Sequence, residues 1–164
     1  TGASQGIGKA IAFALAQEGT RVAICSRNDK QLLETAKEIR AKTGVQAFPL
    51  QTDLTEPNQI RRFVARTVEE FQRVDILVNN TGGPPQATCA ETSEEEWRRM
   101  VNLLLMSTVT TCLEVIPHMQ ERSWGRIINM TSFVAKQPEN GFVYSTTLRE
   151  GILGLSMTLS TELV

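Results

Sequence analysis

Apolar and polar positions follow two rhythms along this chain. Four short runs are nearly continuously apolar and rich in β-branched residues: Arg21–Ser26, Val45–Asp53, Val74–Asn80 and Gly125–Ser132. Runs of that length between turn residues predict buried strands. Between them the apolar residues recur every three or four positions, the stripe of a helix with one buried face. Ile7, Ile11, Ala14 and Leu15 mark the first helix; Leu32, Leu33, Ala36 and Ile39 mark Lys30–Thr43; Ile60, Phe63, Val64 and Val68 mark Thr55–Phe71. A longer helix is predicted over Ser93–Met119, opened by the capping box Ser93…Glu96. The last runs from Tyr144 to the end, with Ile152, Leu155 and Leu159 on one side.

Strands alternating with helices, and apolar on both faces, predict an α/β domain with a parallel sheet between two helical layers. A single domain over residues 1–164 suits the length. In such a sheet a ligand lies beyond the carboxyl ends of the strands, where the strand order reverses. The residues placed there are Ser26-Arg27-Asn28, Asp53-Leu54, Asn80-Thr81-Gly82-Gly83 and Thr131-Ser132, all but Leu54 small or polar.

The first helix is preceded by Thr1-Gly2-Ala3-Ser4-Gln5-Gly6-Ile7-Gly8, a G-x-x-x-G-x-G spacing. A glycine turn feeding a helix start suits a phosphate: free N–H groups and the helix dipole point at it, and no Cβ blocks the approach. The spacing is neither the G-x-G-x-x-G fingerprint nor a P-loop, because Gly8-Lys9 is followed by Ala10. The glycines fit a turn built only for close packing as well. A turn of this kind should follow a strand. With the chain starting at Thr1 and stopping inside "STELV", the central first strand and the C-terminal elements are expected to belong to a longer polypeptide.

Composition narrows the functions. A net charge of −1 provides no electrostatic footprint for nucleic acid or an anionic membrane. No apolar run approaches the length of a spanning helix. Cys25, Cys89 and Cys112 are odd in number and far apart, and His118 is the only histidine, so neither a disulfide framework nor a metal site is expected. Reduced, buried cysteines in a cytoplasmic protein are the simpler expectation, and His118, after Pro117, is expected to be structural.

These motifs together resemble the short-chain dehydrogenase/reductase family, and the likeness runs over essentially the whole chain. It is carried by Thr1-Gly2-x-x-x-Gly6-Ile7-Gly8, Asp53 after the third strand of the family pattern, Asn79-Asn80-x-Gly82 after the fourth, Asn102 in the long helix, Ser132 after the fifth, and Tyr144 twelve residues later. "NNTGGPPQ" and "GRIINMTSFVAKQPENGFVYS" are most similar to the branch of 3-oxoacyl-carrier-protein reductases. The resemblance implies a Rossmann-type, doubly wound, three-layer α/β/α fold and a nicotinamide dinucleotide across the crevice. Gly2, Ser4, Gln5, Gly6, Ile7 and Gly8 would hold its pyrophosphate, Asp53 and Leu54 would flank the adenine, and Asn80, Thr81 and Gly82 the nicotinamide ribose. At the end of the second strand of that pattern Ser26, Arg27 and Asn28 stand where a carboxylate would select NAD. A guanidinium there can pair with a 2′-phosphate, which favours NADP(H), while Asp29 keeps NAD(H) open.

The implied reaction interconverts a carbonyl and an alcohol, on a small-molecule or acyl-thioester substrate. Tyr144 would supply the proton, Ser132 would bind the substrate oxygen, and Asn102 would hold a helix kink and an ordered water. A homodimer or homotetramer is implied as well. One departure stands out: the family's lysine four residues after the tyrosine is Leu148 here. On a helix, positions 144 and 148 lie about 40° apart, Thr147 about 60° from Tyr144, and Arg149 about 140° away. A tyrosine without that lysine keeps a pKa near 10. The alternative function is therefore a dinucleotide-binding or regulatory protein with impaired catalysis.

Overall fold

The β-rich runs pair as parallel strands, and the spaced apolar runs coil against them. The computed structural model describes residues 1–163. Its main elements are α1 (Gly6–Gln17), β1 (Val22–Ser26), α2 (Asp29–Thr43), β2 (Ala47–Gln51), α3 (Pro57–Phe71), β3 (Ile76–Asn79), α4 (Glu94–Met100), α5 (Ser107–Gln120), β4 (Arg126–Asn129) and α6 (Val143–Glu162). β1 pairs with β2 in register from Val22↔Ala47 to Ser26↔Gln51, and β3 with β4 from Ile76↔Arg126 to Asn79↔Asn129. Every predicted element is present. The expected long helix differs in one way: Val101–Met106 form a π-helical segment between α4 and α5. Its start is as expected, since Ser93 Oγ accepts from Glu96 N–H and Glu96 Oε2 accepts from Ser93 N–H, each at 3.2 Å.

The two strand pairs are held in line by the residues before α1. The Thr1 amino group donates to Val78 O at 2.7 Å, and Ala3 N–H to Cys25 O at 3.0 Å. Beside this crosspiece lies a cavity of about 400 Å³ between β1 and β3, lined by Ile24, Phe63, Leu77 and Val115 among others. The core divides accordingly. Ala12, Ala16, Ile24, Leu32, Ala36 and Ile39 seal α1 and α2 onto β1. Val64, Leu77, Cys112, Val115 and Met119 join α3, β3 and α5.

The stretch Glu94–Gln120 is continuously helical over 27 residues, with a mean hydropathy of 1.5 in its most apolar window, enough in length and composition to cross a membrane. That differs from the expectation drawn from apolar runs alone. Met100, Leu104, Cys112, Val115 and Met119 along it are buried in the core, which is reason enough for its apolarity. Cys25 and Cys112 are buried as expected, but Cys89 is exposed, on a short 3-10 turn at Cys89–Glu91.

A polar chain crosses the second strand pair. Thr111 Oγ1 lies 2.7 Å from Asn79 Oδ1, Asn79 Nδ2 donates to Asn129 Oδ1 at 2.9 Å, and Asn129 Nδ2 donates to Ser156 Oγ at 2.9 Å. It ties α5 to α6 through the carboxyl ends of β3 and β4. Asn79→Ala is expected to lower the unfolding free energy by about 1–3 kcal/mol in urea titration, because it strips partners from buried groups; an unchanged midpoint would mean that the chain contributes nothing.

Glu38 on α2 receives Lys9 Nζ from α1 and Lys42 Nζ, each at 2.6 Å. These hydrogen bonds hold its carboxyl down to about 2. A depressed carboxylate pKa adds stability that is complete above the ordinary carboxylate range and is lost as pH falls through about 2. Glu38→Gln is therefore expected to flatten the fall in stability between pH 5 and pH 2, checked by melting temperatures across that window.

Candidate active site

Backbone hydrogen bonds set the strand ends in one row. Thr52 N–H donates to Ser26 O, Ala3 N–H to Cys25 O, the Thr1 amino group to Val78 O, and Met130 N–H to Asn79 O. The loops following β2, β1, the glycine turn, β3 and β4 therefore open side by side on one edge, the arrangement in which α/β sheets bind ligands.

At the centre of the row stands the glycine turn. Gln5, in extended conformation ahead of α1, makes no side-chain cap, and no acid sits in the first turn. The first N–H groups of the helix therefore have no partner from the side chains, and the positive end of its dipole is uncompensated. The two readings of the glycines fall on different residues. A Cβ on Gly8 would collide with Gly2 O and lie 2.8 Å from Asn80 Nδ2, so this glycine serves close packing. A Cβ on Gly6 would meet nothing within 4 Å, and the residue has φ +58°, so here the backbone turns left-handed beside open space. Gln5 and Gly6 are exposed, Ile7 is 63% exposed at the crest, and Ser4 is fixed below it by its carbonyl, which accepts from Thr35 Oγ1 at 3.0 Å. The turn has the free amides and the room that a diphosphate needs.

Asn80 is the strut of this turn. Its Nδ2 donates to Thr1 O and Gly2 O at 3.3 Å, its N–H donates to Thr1 Oγ1 at 2.9 Å, and its carbonyl accepts from that hydroxyl at 2.7 Å. Thr81 and Gly82 continue from it, half-buried and exposed. After β1, Ser26 is buried and accepts from Asn28 N–H at 3.1 Å, while Asn28 Oδ1 caps α2 by accepting from Gln31 N–H. Their side chains are thus engaged in the turn, and Arg27 between them is exposed, its guanidinium in no ion pair among the described residues. Asp53 Oδ1 accepts from Thr55 N–H and Thr55 Oγ1, at 2.9 and 2.8 Å. Leu54 differs from expectation: its side chain is in the core with Cys25, Ile60 and Phe63, because the chain turns inward there to start α3.

Ser132 follows β4, half-buried and extended at φ −144°, at the start of a 3-10 turn over Phe133–Ala135. Asn102 lies in the π segment with an exposed side chain, and its carbonyl accepts from Ser107 N–H, five residues on. Tyr144 does not come together with Ser132. It is 1% exposed, packed against Met100, Leu104 and Leu148, edge-on to Trp97 at 4.8 Å, with its hydroxyl 3.4 Å from Glu96 Oε2. Burial, then the carboxylate of Glu96, push its phenol up, opposite to what proton donation near neutrality requires.

Helix phase is the cause. Tyr144 and Leu148 share the face turned to α4 and the π segment. The face turned to β4 carries Ser145, Arg149, Ile152 and Ser156, whose angular positions agree within about 60°. Ser156 accepts from Asn129, and Arg149 Nη1 donates to Met130 O at 2.8 Å. Ser145 belongs to none of the sequence motifs, and its signal is this i, i+4, i+7, i+11 stripe, with Ser145, Arg149 and Ile152 all buried.

The short chain dehydrogenase family model matches residues 1–164. This chain belongs to that family. Among curated relatives, the short-chain dehydrogenase is 34% identical over 164 residues to the 3-oxoacyl-acyl-carrier-protein reductase FabG of Staphylococcus epidermidis, covering 99% of this chain and 67% of the relative. It is 33% identical to the short chain dehydrogenase/reductase astE of Aspergillus oryzae, covering 63% of it. Among solved structures it superposes on L-sorbose reductase from Gluconobacter frateurii, complexed with NADPH and L-sorbose, with a TM-score of 0.95 at 32% identity. The share covered is 99% of this chain and 62% of that one. A variant of actinorhodin polyketide ketoreductase with NADPH gives a TM-score of 0.93 at 35% identity, over 99% and 62%. The short-chain dehydrogenase thus spans about two thirds of the length of these relatives and has their Rossmann-type α/β fold.

Gly8→Ala is expected to destabilise the protein by about 1–3 kcal/mol through overpacking. Gly6→Ala should cost only the left-handed backbone strain of about 1–2 kcal/mol. Urea unfolding of both variants checks this, and a larger loss for Gly6→Ala would refute the division of roles.

Proposed function

We propose that this short-chain dehydrogenase binds a nicotinamide dinucleotide, NADP(H) ahead of NAD(H), along the row of strand ends and interconverts a carbonyl and an alcohol. The observation that carries this reading is the uncapped α1 start beside open space at Gly6, braced by Asn80 and aligned with the loops after β1 and β3. The amides at Gly6, Ile7 and Gly8 would take the pyrophosphate. Arg27, exposed after β1 and in no ion pair among the described residues, would take a 2′-phosphate, with Ser26 and Asn28 shaping its turn. Asp53 and the backbone at Leu54 would flank the adenine, and Asn80, Thr81 and Gly82 the ribose on the other side. When bound, the dinucleotide supplies or accepts a hydride. The chain's own contribution is to orient the reactants: Ser132, half-buried at the end of β4, would donate its hydroxyl to the substrate oxygen.

Relatives that reduce 3-oxoacyl thioesters, polyketides and a sugar by name support a carbonyl substrate, and the thioester class is the one we propose. Assembly into a homodimer or homotetramer through the long helix and α6 is part of the same proposal, supported by exposed Leu113 and Met157 on those helices, as is a cytoplasmic location. A second reading, a dinucleotide-binding protein with impaired catalysis, is favoured by buried Leu148 beside Tyr144.

Calorimetric titration with NADPH and NADH tests the binding step. Arg27→Ala is expected to raise the Kd for NADPH roughly tenfold, the size of one charge-assisted contact, and to leave NADH unchanged. Equal effects on both coenzymes would remove Arg27 from phosphate recognition, and no uptake of either by the unaltered protein would overturn the reading.

A further inference from the structure

A hydroxyl inside a helix ordinarily donates to the carbonyl one turn earlier. Thr43, Thr67, Ser107, Thr108 and Ser156 do so, at 2.6–3.1 Å. Thr35 on α2 does not. It is 1% exposed, on the side of the helix that buries Leu32, Ala36 and Ile39, and its Oγ1 donates to Ser4 O at 3.0 Å, 31 residues away. With one proton to give, this hydroxyl forgoes its own helix for the loop ahead of α1. Ser4 lies midway between Gly2 and Gly6, the left-handed residues at φ +59° and +58°. Different elements hold the two sides of that turn. On the entry side Asn80 Nδ2 binds Thr1 O and Gly2 O. On the exit side Ser4 O has no donor but Thr35 among the described residues, and Gln5 makes no side-chain cap. Gly6, which follows, has the widest backbone freedom of any residue type, so the direction of the turn there depends on what holds Ser4.

We propose that Thr35 is a positioning residue for the dinucleotide: reaching from α2, its hydroxyl sets the direction in which the Gly6, Ile7 and Gly8 amides face the pyrophosphate. It touches no part of the ligand. The identity of the ligand rests on the dinucleotide reading, whereas the hold on the turn belongs to the protein alone. Amides already oriented bind an anion without the entropy loss of ordering their loop. Because Ser4 is half-buried, water takes the place of a lost hydroxyl at its carbonyl. The carbonyl then keeps a hydrogen bond, and the turn loses its tie to α2. The pyrophosphate is common to NADPH and NADH, so Thr35 acts on both alike, in contrast to Arg27, which acts on the 2′-phosphate.

The test compares Thr35→Val, which keeps the branched shape and removes the hydroxyl, with Thr35→Ser, which keeps the hydroxyl. The probes are NADPH, NADH and inorganic diphosphate, titrated by calorimetry. Thr35→Val is expected to raise all three Kd values about tenfold, the effect of one hydrogen bond, with the NADPH-to-NADH ratio unchanged. Thr35→Ser should recover most of that loss. Thr43→Val removes a hydroxyl that bonds within the same helix, far from the turn, and should leave the three Kd values within about twofold. That variant separates positioning from a merely less stable α2. Amide relaxation measured by NMR in the free protein reads the turn directly. Order parameters at Gly6, Ile7 and Gly8 are expected to fall from about 0.85 toward about 0.6 in Thr35→Val and to stay high in Thr43→Val. Should Thr35→Val not fold, Thr35→Ala serves the same comparison. Unchanged Kd values and order parameters in Thr35→Val, equal losses in Thr43→Val, or no recovery in Thr35→Ser would overturn the proposal. Uptake of neither coenzyme by the unaltered protein would instead overturn the dinucleotide reading, and the order parameters would still decide the role of Thr35.

Discussion

Two hydrogen bonds, from the Thr1 amino group to Val78 O and from Ala3 N–H to Cys25 O, link the two strand pairs. The strand pairs β1–β2 and β3–β4 share no ladder, and the crosspiece of residues 1–3 brings their carboxyl ends level. The same crosspiece aims the glycine turn, since the turn begins where it ends. Asn80 then locks turn and strand together by bonding to Thr1 and Gly2. A phosphate site needs amides held in place before the anion arrives, and this is how the chain preorganises them.

The second determinant is the rotational phase of α6. One residue of displacement along a helix is a rotation of about 100°, enough to exchange the face that meets the strands for the face that meets the neighbouring helices. Here the aromatic and the leucine go to the helical neighbours, where Met100, Leu104 and Trp97 provide an apolar setting. The guanidinium and two serines go to the strand ends. The polar chain from Thr111 to Ser156 holds that phase, because Ser156 meets Asn129 only in this orientation.

The kinds and order of elements were legible because strand and helix periods differ and these segments follow them closely. The glycine turn was legible too, though not the division between Gly8, which serves close packing, and Gly6, which borders open space. What could not be seen in the sequence depends on partners distant in the chain. Asn80 acts on residues 78 and 79 positions away, and Asn79 on Thr111 and Asn129. Leu54 looks like a crevice residue by position, yet the turn into α3 drives it into the core. Tyr144 was singled out by motif spacing, which sets the phase of residues relative to one another but not which face of α6 meets β4. The π segment left no trace in the hydrophobic pattern, because all but one of its residues are apolar.

That segment has a mechanical meaning. A π turn inserts one additional residue into the coil, so every side chain beyond Met106 is rotated relative to a regular helix grown from Ser93. Thr111, Cys112 and Val115 reach β3 only through that offset. Shortening the segment by a single residue would swing exposed Leu113 toward the interior and carry Thr111 away from Asn79. The bulge is a phase adjuster between two halves of one rod, each half cut to fit a different wall.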